Sequence, residues 1–354
     1  MRMAIQGIGM TGGFGSGVEA LRAALQSGEV SPAPGPDGFP VYRAGVAGLD
    51  EFIPKRALRR IDHFSRMTLL SACLALKDAD LFDADRSRMG VAIASGYGAL
   101  KTTFNFLDSY LDFGYSCSSP THFSNSVHNS AAAHVSIQLK TTAPSLTVTQ
   151  FEMSVPSALL SAQQWLAEGR VDQVLFGAVD ESCEVLSYCR QQFFGAAERG
   201  PLQPFAFSEQ SAVTGEGAVF FVLTRADDAA PYGCIDEVVL GNHLISPVNL
   251  AADDLLIIGA DGHKECGSYY AELLNGCGAS ASAYAALYGS FPAAAGFDLA
   301  AAAVSLGDRL LYASPDPGVP VATSALTTQK LDQESLACLK FGSGGDYGLI
   351  RLSS

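Results

Sequence analysis

Three groups of residues in this chain have types and spacings that could carry chemistry. Gly7-x-Gly9-x-x-Gly12 follows a short apolar run and imitates the turn that seats a dinucleotide pyrophosphate at a helix N-terminus. Gly13, Gly15 and Gly17 prolong the loop, so no helix begins at the last fingerprint glycine, and a tight Gly-rich turn is the better reading. His122, His128 and His134 recur every six residues, whereas two ligands on one helix face need i, i+4 spacing. With no thiolate or carboxylate completing a set, no metal is expected. His263 stands two residues before Glu265-Cys266 with no orienting partner, which makes a weak thiol site.

The elements that must hold such residues are those of an α/β protein. Of 354 residues 48% are hydrophobic and 16% charged, enough for a large buried core. Apolar runs at residues 3–8, 90–94, 146–149, 174–176, 217–223 and 255–259 read as strands. Between them, residues 18–25 and the segment from Asp62 repeat apolar positions at helical spacing, with Phe64, Met67, Leu70 and Leu74 on one face. A third helix starts at Pro156 and stops at Gly169. Short apolar strands separated by helices predict a mostly parallel sheet covered on both faces. Residues 195–203 and 226–231 read as surface loops, the second a junction between halves.

A net charge of −14, read with no Lys/Arg cluster, argues against nucleic acid and against an anionic membrane surface. No uninterrupted apolar run reaches membrane-spanning length and no leader pattern opens the chain, so a cytoplasmic location is expected. The eight cysteines form no C-x-x-C pair and read as buried free thiols.

Several segments, in order, resemble the β-ketoacyl synthases. They are IQGIGMTGGFGSGVEALRAALQSG, RRIDHFSRMTLLSACLALKDADL, GVAIASGYGAL, SPTHFSNSVHNSAAAHVSIQLKTTAPSLTV, GRVDQVLFGAVDE, PFAFSEQSAVTGEGAVFFVL and FGSGGDYGLIRL. The resemblance implies a thiolase-like fold, a five-layer α-β-α-β-α sandwich of two pseudo-symmetric halves, here 1–225 and a compact 226–354. It also implies a dimer in which the strand near 145–149 meets its counterpart.

Condensation on this scaffold needs a thiolate at a helix start and imidazoles beside it. Counting back from Gly169, the cysteine station falls on Glu152. The first histidine station falls on Asp261, with His263 two residues late; the second falls on Ser290, the lysine station on Ala285, and the gating aromatic on Ser343, though Phe341 remains. With these stations changed together, the chain resembles the chain-length factors of type II polyketide and aryl-polyene systems. That resemblance implies a non-catalytic subunit paired with an active β-ketoacyl synthase in a heterodimer or heterotetramer, shaping an acyl tunnel at the shared interface. Tyr97 matches a pocket-lining position and His122 an interface aromatic; Phe104, Phe106, Tyr110, Phe113, Tyr115 and Phe123 fall on the expected tunnel segment. An acidic acyl carrier protein is expected to dock mainly on the partner, and no cofactor is expected. Glu152 is expected to act as a negatively charged cap on the closed elbow. Two other readings stay open: a thioester hydrolase or malonyl decarboxylase using Glu152 and His263, and a homodimeric carrier-binding scaffold.

Overall fold

Ten main strands build the core of the protein, and their order is the same twice over. A computed structural model describes residues 1–35, 38–194, 201–226, 230–250, 254–277, 279–315 and 327–354. The loops expected at 195–203 and 226–231 lie partly outside the described residues. In the first half, β1 (Met3–Gly12), β2 (Met89–Ala94), β3 (Ser145–Val148), β4 (Gln173–Asp180) and β5 (Gly217–Arg225) lie in the order β3-β2-β4-β5-β1. In the second, β6 (Cys234–Asn242), β7 (Leu255–Ile258), β8 (Ser280–Ser282), β9 (Ser335–Phe341) and β10 (Asp346–Ser353) lie in the order β8-β7-β9-β10-β6. The two sets meet where Met3 and Ala4 pair with Ile235 and Cys234.

Helices fill the layers between and outside the strands. The longer helices are α1 (Val18–Ser27), α2 (His63–Asp78), α3 (Leu100–Phe113), α4 (Pro120–Ser126), α5 (Ser130–Leu139), α6 (Ser154–Ala167), α7 (Glu184–Phe194), α8 (Lys264–Cys277) and α9 (Ala295–Asp308). α6 and α9 touch strands of both halves and form the middle layer. α2 and α5 cover the outer face of the first half, and α8 packs on β9 of the second. The result is the expected five-layer α-β-α-β-α arrangement. α9 is buried on every side because both its faces meet a sheet; residues Ala295 to Leu306, Asp298 and Ser305 among them, are all buried.

The strands are not mostly parallel. β2 is parallel to β3 and β4, but β5 runs antiparallel to both β4 and β1, and β10 antiparallel to β9 and β6. A strand buried on both faces reads as a continuous apolar run in either direction, so its sequence does not carry its polarity. α6 begins at Ser154, which places Pro156 inside the first turn, where the missing N–H leaves no bond unmade. The Gly7-x-Gly9 pattern serves packing: a Cβ on Gly9 would lie 2.1 Å from the Ala75 backbone nitrogen, and one on Gly7 2.6 Å from that of Ala79. These glycines let α2 lie directly on β1.

The basic residues are also less scattered than the net charge suggests. Lys55, Arg56, Arg59 and Arg60 crowd the turn of helix Lys55–Leu58 and the approach to α2. Among the described residues no helix is long and apolar enough to cross a membrane. Cys73, Cys183, Cys234, Cys266 and Cys338 are buried free thiols, while Cys189 is exposed.

Candidate functional site

The elbow after β3 keeps its backbone form. Phe151 sits at φ +44°, a left-handed conformation that costs a non-glycine residue roughly 1–2 kcal/mol. It leads through the short turn Phe151–Met153 into α6. Ser154 holds this turn: its Oγ accepts from the Gln150 N–H at 2.7 Å and lies 3.0 Å from the Ser95 carbonyl oxygen. Facing it, the Ser95-Gly96-Tyr97-Gly98 turn is gathered by the buried Asp180, whose Oδ1 accepts from Ser95 Oγ and from the backbone N–H groups of Gly96 and Tyr97. Asp180 Oδ2 also accepts from the Ala293 N–H, tying the turn to the start of α9. Tyr97 then packs edge-on against Phe151, ring centroids 5.8 Å apart.

Glu152 is half-buried at this elbow and makes no capping hydrogen bond. No side-chain cap bond closes the start of α6, and the Glu152 carboxylate makes no hydrogen bond among the described residues. It is turned toward the far side of the site: a Cβ on Gly342 would stand 3.7 Å from its Oε2, and its charge acts on Lys340, Tyr97 and Cys266.

The stations expected for imidazoles are joined in one polar network. Asp261 and Lys340, both buried, form an ion pair at 2.9 Å. Lys340 Nζ also donates to the Gly259 carbonyl at 2.7 Å, and Ser290 Oγ donates to Asp261 Oδ2 at 2.9 Å. Arg190, from α7, reaches in with Nη2 2.6 Å from Ser290 Oγ and 2.6 Å from His263 Nε2. The Gln210 amide lies 3.0 Å from His263 Nδ1. A guanidinium and an amide NH2 are both donors, so each ring nitrogen of His263 faces a donor.

The charges follow from these partners. Burial alone would raise the Asp261 carboxyl, but Lys340, His263 and Arg190 hold it well below the usual carboxylate range. Burial works against the Lys340 ammonium too, and Asp261 leads the neighbours that more than offset it. His263 is pushed down to about 4, first by burial and then by Arg190 and Lys340, against the pull of Asp261. It is therefore neutral near pH 7, with its basic nitrogen already occupied.

Two small cavities border this network. Cavities of about 10 Å³ border Asp261, His263 and Tyr270 on one side and Lys340, Asp298 and Cys338 on the other. Each has room for no more than one water. Ala285 is buried in a short helical turn, Ser343 is exposed in the β9–β10 hairpin, and Phe341 is sealed among Tyr269, Tyr270, Tyr347 and His243.

The structure thus brings Glu152, Asp261, Ser290, His263 and Tyr97 around one centre and leaves Ser343 outside it. The sequence reading missed Arg190, Lys340 and Gln210. A lysine within the apolar strand SLACLKF was a signal for Lys340, since a buried ammonium requires a partner. Nothing in the sequence of α7 singles out Arg190. The aromatic group lies elsewhere: Phe104 and Phe106 are half-buried, Tyr110, Phe113, Tyr115 and Phe123 are exposed, and Phe106 packs on Phe123 at 5.3 Å. His122 does not join them; it lines a basic cavity with Arg59, Arg60 and Lys101. No group of three or more side chains arranged to hold a metal ion occurs among the described residues.

Comparison with known proteins places this geometry. A crystal structure of a β-ketoacyl synthase from Burkholderia phymatum STM815 superposes with a TM-score of 0.83 at 18% identity, over 99% of each chain. The ishigamide ketosynthase/chain length factor superposes at 0.79 and 17%, over 100% of this chain and 99% of that one. The chloroplastic 3-oxoacyl-[acyl-carrier-protein] synthase I of Hordeum vulgare is 24% identical over 286 residues, 74% of this chain and 60% of that protein. The chain thus matches about 60% of the length of that curated relative. Residues 2–229 match the family model of the β-ketoacyl synthase N-terminal domain, nearly two thirds of the sequence, and the chain belongs to the β-ketoacyl synthase family.

Proposed function

We propose that this chain is a non-condensing ketosynthase subunit of the chain-length-factor type, working beside an active β-ketoacyl synthase. One observation carries the reading: the elbow keeps its strained backbone at Phe151, yet presents Glu152 to a site whose polar groups already satisfy one another. A carboxylate forms no stable acyl intermediate from a thioester, and a neutral His263 bound to Arg190 cannot stabilise an enolate as an imidazolium would. The same bond counts against a hydrolase or decarboxylase that would use Glu152 and His263 as acid and base.

Two surface features support a partner. β3 ends the strand order and leaves an unpaired edge, a feature that isolated proteins usually cover or charge. Beside the elbow, Phe151 is exposed, and the α3–α4 region presents Leu111, Phe113, Tyr115 and Phe123 to solvent. An apolar face of this kind marks an interaction site. The ishigamide neighbour combines a ketosynthase with a chain length factor, and that is the assembly we assign to this chain, with a carrier protein serving the active subunit. The division into halves 1–225 and 226–354 is part of this reading, supported by the repeated strand order.

The test is co-expression with an active ketosynthase. A one-to-one complex should purify, condensation should require the partner's cysteine, and Glu152→Cys in this chain should add no activity. Condensation or malonyl decarboxylation by the purified chain alone, abolished by Glu152→Gln, would overturn the proposal.

A further inference from the structure

A cavity of about 360 Å³ is walled by the approach to α2 and by α3 and α4. Arg59, Arg60, Lys101 and His122 line it, together with Asp62 and Glu181. The three cations are exposed and form no ion pair or side-chain hydrogen bond among the described residues. In a chain with 36 acidic residues and 22 basic ones, that is unexpected. Elsewhere Arg2, Arg22, Arg88 and Arg351 each hold a carboxylate.

The acids on the wall make no ion pair with these cations. Asp62 caps α2, its oxygens taken by the Ser65 N–H at 2.8 Å and the Ser65 hydroxyl at 3.2 Å. Glu181 is buried, accepts from the Lys101 backbone N–H at 2.9 Å, and burial pushes its carboxyl up to about 7. His63 is engaged with the buried Glu216 at 3.2 Å. His122 Nδ1, by contrast, is buried without a hydrogen-bond partner among the described residues. Unpaired guanidinium groups, an ammonium and an unsatisfied imidazole nitrogen therefore share one cavity. Its volume falls in the range that holds small ligands rather than a bare ion.

We propose that this cavity binds a small phosphorylated ligand, with Arg59, Arg60 and Lys101 holding the phosphate and His122 Nδ1 making a buried contact. Planar guanidinium forks match phosphate oxygens two at a time, and an ammonium completes the neutralisation of a dianion. The site stands apart from the Glu152 network and does not depend on the condensing status of the chain.

The test is calorimetric titration of the purified full-length chain with inorganic pyrophosphate at low salt, with succinate as a carboxylate comparison. Saturable one-site binding is expected, at least tenfold weaker in Arg59→Ala/Lys101→Ala. Arg56→Ala/Lys140→Ala removes the same charge from exposed positions that do not line the cavity, and should bind as the parent does. Circular dichroism melting verifies that both variants remain folded. Absence of saturable binding would overturn the proposal, as would equal weakening in both variants, which marks diffuse attraction, or succinate binding as tightly as pyrophosphate.

Discussion

α3 and α9 are both fourteen residues long, yet they serve opposite ends. α9 is rich in alanine and glycine, and the two halves close on it from both sides. α3 buries only Thr102 and turns Leu107, Tyr110, Leu111 and Phe113 outward. Small side chains let two sheets approach one helix; large aromatics on an open helix add area for something outside the chain. The interior around Asp261 and Lys340 is likewise closed by its own hydrogen bonds, whereas the α3–α4 face is open to solvent. Helix length therefore says little about burial until composition and side-chain sizes are considered.

That contrast fails if interior and face respond alike to substitution. The largest effect should come from Ala301→Glu in α9, where a fully buried methyl gives way to a charge without a partner. A loss of about 4 kcal/mol or more is expected, seen as failure to purify a folded chain. Next is Asp261→Ala, which strands the buried Lys340 ammonium; about 3–5 kcal/mol should be lost in denaturant unfolding. Adding Lys340→Met should return much of that loss, because the pair is then removed together. A double variant no more stable than the single one would mean the network matters for more than its charges.

The pH dependence tests the same interior more gently. His263 has a folded value of about 4, below its ordinary 6.5, so the unfolded chain takes up the proton first. Stability from this residue is present above pH 6.5 and is lost as pH falls toward 4, by up to about 3 kcal/mol. His263→Gln should therefore lose less stability than the parent between pH 7 and pH 4.5, measured by urea unfolding at each pH. Parallel losses in the two proteins would show that His263 is not buried in its neutral form.

Much of this arrangement was legible in the sequence, and the gaps have physical causes. The buried strands and α2 follow from apolar periodicity, which core burial enforces. The elbow was placed by counting back from Gly169, a position whose φ of +66° suits glycine at a helix end. Strand direction was not legible, because burial on both faces removes the alternation that would orient a strand. The Asp261–Lys340 pair and the reach of Arg190 were not legible either, since they join residues 79 and 100 positions apart in the chain. Nor did net charge reveal that Arg59, Arg60 and Lys101 share a cavity, because a sum over the chain carries no position.

The smallest effects on the chain's own stability are expected at the open face and at Glu152. Leu111→Glu/Phe113→Glu changes side chains that are 76% and 69% exposed, so unfolding should shift by no more than about 0.5 kcal/mol per site. Partner binding should nevertheless weaken at least tenfold in co-purification, which separates a face built for assembly from ordinary surface. Glu152→Gln should cost less than about 1 kcal/mol, because the carboxylate holds no hydrogen bond and Lys340 keeps its contact with Asp261. Its charge helps raise the Lys340 value, but it comes after Asp261 and Cys266 in that effect. A loss above about 2 kcal/mol would move Glu152 from the edge of the closed interior into its ion-pair network, and the elbow would then be held by charge as well as by the Ser154 bonds.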